Sequence, residues 1–177
     1  MRLEFNFVAT TYNNYKRELE RELKALLNEY EPIVFLSFNT NSVTFGKLNG
    51  DPIKASARLW SLAYTDPWKI RRILRFVPIT DNCPLDTVQI KNVAKKLGSY
   101  IPTSASYKIE AEIRLSKITR AKIIEIIAEE IDRKVNLEKP DFILEVQIVD
   151  NNCGMSVISD RMIFKSLEAK LEGSYFP

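Results

Sequence analysis

The chain has 177 residues, 45% of them hydrophobic and 28% charged, with only 5 glycines. That composition supports a packed core in one domain or two small ones and argues against a disordered or low-complexity chain. The formal net charge is +3 and there is no histidine, which excludes a Ser-His-Asp triad, a Cys-His pair and any two-histidine metal motif. Cys83 and Cys153 are the only cysteines, so a cysteine-rich zinc site is excluded too.

In chain order, residues 3–10 alternate Leu3, Phe5, Phe7 and Ala9 against Glu4, Asn6, Val8 and Thr10, the period of a half-buried strand. A helix is expected from about Asn13 to Asn28, striped by Tyr15, Leu19, Leu23, Leu26 and Leu27. Ile33 to Phe38 and Ser42 to Phe45 read as a hairpin around Asn39-Thr40-Asn41. Asp51-Pro52 starts a helix that runs to about Ala63, and Ile70 to Thr80 reads as a central strand. The order β-α-β-β-α-β is that of a ferredoxin-like lobe, placed at residues 1–66 with a last strand extending as far as 80.

Residues 67–177 form the second lobe. Asp86-Thr87-Val88-Gln89 predicts a capping box, with Ile90, Val93, Ala94 and Leu97 facing inward and Gly98 as a left-handed C-terminal residue. Tyr107 to Leu115 alternates as a strand, and Thr119 caps a helix whose Ile123, Ile124, Ile127, Ala128 and Ile131 are spaced for burial. Pro140 stops a turn, strands follow at 142–149 and 153–158, and a helix at about 161–171 closes the lobe. The expected class is α+β with an α/β-like alternation, the two lobes packed together without a linker.

Charge is unevenly spread. Residues 67–123 carry 12 basic and 4 acidic side chains, while residues 124–177 carry 6 and 11. A basic middle on a neutral or acidic chain suits a polyanion partner such as nucleic acid. The candidate contacts are Arg72, Arg75, Lys95, Lys96, Lys108, Arg114, Lys117 and Arg120. Arg75, inside an apolar strand, either closes an internal salt bridge or reaches a phosphate at the strand end. Arg114, Lys117 and Arg120 surround a strand-to-helix turn whose free N–H groups suit phosphate, or else form a solvated basic loop. Tyr100 is a candidate for stacking on bases; Tyr107, Trp60 and Trp68 are expected in the core. Each cysteine reads as a buried thiol, with a Cys83–Cys153 disulfide as the minority alternative.

The five glycines are too scattered for a dinucleotide or phosphate-binding loop, and exposed carboxylates sit in i, i+4 company with lysine or arginine. No cofactor, metal or catalytic residue is therefore expected. No apolar run approaches the ~18–20 residues of a membrane span. The start Met1-Arg2-Leu3-Glu4-Phe5 lacks a signal-peptide pattern; a cytoplasmic protein without membrane contact is expected.

The turn Lys134-Val135-Asn136-Leu137-Glu138-Lys139-Pro140-Asp141, followed by an apolar strand and by Cys153-Gly154-Met155-Ser156-Val157, resembles the C-terminal half of a THUMP domain. The strand Arg72-Ile73-Leu74-Arg75-Phe76-Val77-Pro78-Ile79 with Cys83, then Arg114, Arg120 and the tail Met162-Ile163-Phe164-Lys165, extends the likeness over about residues 70–170. It is similar to the THUMP adaptor of tRNA cytidine acetylation, with Asn136 where the family's turn usually has an acid. The resemblance implies a THUMP-type mixed sheet with helices beside the ferredoxin-like lobe. It also implies binding of the tRNA acceptor end by a non-catalytic adaptor that serves a separate acetyltransferase making N4-acetylcytidine. A stand-alone RNA-modifying enzyme and a basic protein-interaction module are the competing readings.

Overall fold

The computed structural model describes residues 3–174; Met1 and Arg2, where the leader-free reading begins, lie outside them. The elements in chain order are β1 (Phe7–Thr10), α1 (Lys16–Leu26), β2 (Val34–Phe35), β3 (Val43–Lys47), α2 (Pro52–Thr65), β4 (Arg75–Pro78), β5 (Asp81–Pro84), α3 (Thr87–Gly98), β6 (Ser106–Arg114), α4 (Arg120–Ala128), β7 (Lys134–Val135), β8 (Phe142–Val149), β9 (Asn152–Ile158), β10 (Phe164–Lys165) and α5 (Ser166–Ser174). They fall into two compact units: Phe5–Pro78 joined by the segment from Arg161 onward, and Ile79–Asp160 with Leu3 and Glu4. Both are mixtures of sheet and helix, so the α+β class holds.

The first unit is built on an antiparallel sheet of order β10-β4-β1-β3-β2. Its first four strands in sequence make the expected β-α-β-β-α-β arrangement. Phe7 on β1 stacks on Phe76 of β4 with centroids 5.0 Å apart. Gly46, the register partner of Phe7 on β3, lies under the same ring, and a Cβ there would fall 2.3 Å from Phe7 Cζ. Leu19 and Leu23 of α1 and Ala55, Leu59 and Trp60 of α2 close the core over this sheet. The sequence puts the start of α1 near Asn13, but Asn14 takes a left-handed φ of 69° and the helix begins at Lys16. Asp51 caps α2 as expected, accepting from the Ile53 N–H at 2.8 Å with Pro52 at the first helical position.

Other boundaries differ from the sequence reading as well, β1 and β2 being shorter than expected. The expected strand over Ile70 to Thr80 is shortened to β4, because the N–H groups before it are taken elsewhere. Arg71 donates to Glu22 Oε1 at 2.8 Å, and Arg72 and Ile73 donate to Glu22 Oε2 at 2.9 and 2.8 Å. The C-terminal segment does not close the second lobe. Phe164 and Lys165 pair with Phe76 and Arg75, extending the first sheet, and α5 packs against α2. Burial explains this: Ile163 and Phe164 are fully enclosed, with Trp60 edge-on to Phe164 at 5.3 Å.

The second unit carries the mixed sheet β5-β9-β8-β6-β7, with β6 parallel to both β8 and β7 and the other pairings antiparallel. Helices α3 and α4 bury Ile90, Ala94, Leu97, Ile123 and Ile127 with Tyr107, Leu144, Val146 and Met155 from one sheet face. Asp86 and Thr119 cap these helices through the Gln89 and Lys122 N–H groups, at 2.9 and 3.2 Å. Gly98, expected in left-handed conformation, is instead the last helical residue of α3. It is needed for space, since a Cβ would stand 2.9 Å from Ile131 Cγ1.

The 133–141 turn is held by polar groups rather than apolar ones. Val135 pairs with Tyr107 at the β7 edge of the sheet, but its side chain and that of Leu137 are exposed. Asp141 accepts from the Ser106 N–H at 2.8 Å and its hydroxyl at 3.1 Å, and those bonds hold its carboxyl below the usual range. Asn136 Oδ1 accepts from the Glu138 and Lys139 N–H groups at 3.2 and 3.1 Å, the role an acid would play at that position. Among the described residues no helix is long and apolar enough to cross a membrane.

Candidate nucleic-acid interface

Six of the candidate contacts, Lys95, Lys96, Lys108, Arg114, Lys117 and Arg120, lie in the second unit, and Arg72 and Arg75 lie in the first. Within the second unit they separate by face. Lys95 and Lys96 occupy the last turn of α3, on the helical side near the β5 edge. Lys108 and Arg114 project from the opposite face of β6, alternating with the buried Tyr107 and Ala111.

Most of these cations already have partners. Lys96 Nζ lies 2.6 Å from Asp81 Oδ1, a hydrogen bond and charge pair that raise the lysine's pKa. Lys108 Nζ is 2.6 Å from Glu110 Oε1, and Arg120 Nη2 is 3.7 Å from Glu112 Oε1. Arg114 donates to Gln147 Oε1 at 2.9 Å, and Gln147 in turn donates to the fully buried Glu145 at 2.9 Å. Lys95 and Lys117 are exposed and, among the described residues, enter no ion pair. The alternatives left open for the basic turn thus divide by residue: Lys117 points to solvent, whereas Arg114 and Arg120 are restrained by their own sheet.

The turn itself is unusual in backbone. Leu115 adopts a left-handed φ of 55° and Asp150 one of 52°, and the Asp150 N–H donates to the Arg114 carbonyl at 3.0 Å. Leu115 is also half exposed. A non-glycine residue held there costs on the order of 1 kcal/mol and persists only where the surroundings dictate it; here it turns the chain from β6 into α4. The Thr119 side chain takes the Lys122 N–H, and Arg120 and Ala121 at the start of α4 are exposed.

In the first unit Arg72 lies over the Tyr15 ring, 4.0 Å from its centroid. Arg75 pairs in register with Thr10 on one side and Lys165 on the other, half buried at the start of β4. Tyr107 and Trp60 are in the core as expected and Tyr100 is exposed. Trp68 is the correction. Expected inside, it is 63% exposed, because Pro67–Lys69 is a single 3-10 turn that lies outside any helical stripe. The Asp66-Pro67 pair was the only signal that could have placed Trp68 on a turn.

Cys83 and Cys153 oppose each other on β5 and β9 as buried free thiols, and the hydrogen bond between them, with burial, pushes Cys153 well up. Among the described residues no group of three or more acids or cysteines is arranged to hold a metal.

Residues 86–158, from the α3 cap to the end of β9, match the family model of the THUMP domain. The chain carries a THUMP domain, and such a domain suggests RNA binding. Among solved structures the fold is similar to PH1313 from Pyrococcus horikoshii, at 14% identity and a TM-score of 0.63 over 92% of this chain and 55% of that one. It is also similar to TrmN from Thermus thermophilus, at 16% identity and a TM-score of 0.58 over 87% of this chain and 45% of that one. A 4-thiouridine synthetase in complex with RNA and ATP matches at 13% identity and a TM-score of 0.52, over 92% of this chain and 42% of that one. The chain thus spans about half the length of these structures, and at such identities the likeness is one of fold. No curated protein matches it.

Proposed function

We propose that this chain is a tRNA-binding adaptor that presents tRNA, held by its acceptor end, to a separate cytidine acetyltransferase for N4-acetylcytidine formation, without catalysing the step itself. The observation that supports RNA as the ligand is the THUMP domain over residues 86–158, on whose surface Lys95 and Lys117 stand without acidic partners among the described residues. Lysines of this kind contact phosphates as point charges and fix the position of a nucleic acid without reading its bases. The adaptor branch rests on the ordered sequence likeness over about residues 70–170.

The experiment is deletion of the gene followed by nucleoside analysis of the tRNA pool. Loss of N4-acetylcytidine alone is expected. An unchanged pool, or loss of a different modified nucleoside, overturns the acetylation assignment. Acetylation of tRNA by the purified chain with acetyl-CoA and no partner would replace the adaptor by an enzyme.

A further inference from the structure

The segment before β4 and the turn after β1 carry three exposed aromatic residues and two arginines, one of which lies over a tyrosine ring, and none of them belongs to the THUMP domain. Trp68 is 63%, Tyr12 49% and Tyr15 39% exposed. All belong to the ferredoxin-like unit.

The geometry holds these groups in place. The carboxylate of Glu22 receives three consecutive N–H groups, from Arg71, Arg72 and Ile73, and so fixes the 71–73 backbone against α1. From that fixed segment Arg72 lies over Tyr15 at 4.0 Å. Arg71 reaches back to donate from Nε to the Trp68 carbonyl at 3.2 Å. The Tyr15 N–H donates to the Tyr12 carbonyl at 3.2 Å, closing the turn that carries both tyrosines. Rings and guanidinium planes on a preset backbone suit a ligand that is both flat and anionic.

We infer that Trp68, Tyr12 and Tyr15, with Arg71 and Arg72, form a stacking platform for unpaired nucleotides of RNA, separate from the phosphate contacts of the THUMP domain. Bases in a duplex hide their faces, whereas single-stranded bases stack on aromatic rings irrespective of sequence, with arginine beside them on the backbone. The inference rests on the proposal that the chain binds RNA, and names the part of the RNA this unit takes.

The test compares the full chain's affinity for a blunt RNA duplex with that for the same duplex bearing a short single-stranded tail. The tail is expected to strengthen binding. Trp68→Ala is expected to weaken binding of the tailed RNA by roughly 5- to 150-fold, the loss of one stacked base, with the blunt duplex unaffected. Trp68→Phe, which keeps a ring, retains most of the gain, and Tyr12→Ala gives a second tail-specific loss. A tail oligonucleotide is expected to quench tryptophan emission in the chain but not in Trp68→Phe. Circular dichroism checks that the variants stay folded. Equal weakening of tailed and blunt RNA by Trp68→Ala, or none, overturns the platform and leaves RNA binding by the THUMP domain standing. Binding of neither RNA by the unmodified chain overturns both.

Discussion

The THUMP-bearing unit and the ferredoxin-like unit use their cations in different ways. On the THUMP side Lys96, Lys108 and Arg120 face Asp81, Glu110 and Glu112, so much of the positive charge seen in the sequence is matched at short range. Around residue 70 of the other unit, Arg71 and Arg72 engage a carbonyl and an aromatic ring instead, and their backbone rather than their side chains meets Glu22. Counting charges along the chain therefore overstates how many cations the THUMP side leaves open to a polyanion. What a polyanion meets depends on which cations the fold leaves without an acid.

The largest expected effect concerns the scaffold of the ferredoxin-like unit. Phe7→Ala removes a ring stacked on Phe76 at 5.0 Å and fully buried, at a cost of about 3–5 kcal/mol; urea denaturation measures it. A loss below about 1 kcal/mol would mean that this core is not the support of the aromatic surface. Next come the lysines. Lys117→Ala is expected to reduce the salt dependence of tRNA binding by about one phosphate contact, and Lys108→Ala to leave it nearly unchanged, because Glu110 already matches that lysine. Equal effects would erase the distinction between paired and unpaired cations.

Smaller changes probe the helices that frame the basic turn. Thr119→Ala and Asp86→Ala each remove a side-chain acceptor from a helix start, and each is expected to cost ~1 kcal/mol, read by thermal or chemical denaturation. The smallest effect is a pH dependence in the ferredoxin-like unit. Hydrogen bonds from Arg161 and Tyr64 hold the Glu172 carboxyl down to about 2, against an ordinary 4.5. Its pKa is lowered in the folded state, so its contribution is complete above the ordinary value and is lost as pH falls through about 2. Glu172→Gln should flatten the stability profile in that acid window and leave neutral-pH RNA binding unchanged, as followed by acid titration of the circular dichroism signal.

Local chemistry was legible in the sequence, and distant pairing was not. Asp51, Asp86 and Thr119 announce their helices because a cap acts within three residues, and all three accept the expected N–H groups. The alternation in β6 and the apolar run of β8 placed both strands within a residue or so of their ends. The return of Phe164 to Phe76 was hidden, since a two-residue strand has no period of its own and gains its place only through burial against α2. Nothing local to Glu22 in α1 signals that it organises residues 71–73, about fifty positions away. Trp68 was misplaced for a related reason: hydrophobicity suggested the core, and only the turn at Pro67 takes it out. Glu110 stands two residues from Lys108 on the same strand face, within reach of a sequence reading, whereas Asp81 meets Lys96 only because α3 packs against β5.

Under the proposed function the chain holds tRNA chiefly by its phosphates, and equilibrium binding of tRNA to the purified chain across a salt series checks this. The logarithm of the association constant is expected to fall linearly with the logarithm of salt concentration, by about 0.9 for each phosphate contacted on a duplex. Affinity that does not change with salt, or no binding at low salt, would contradict it.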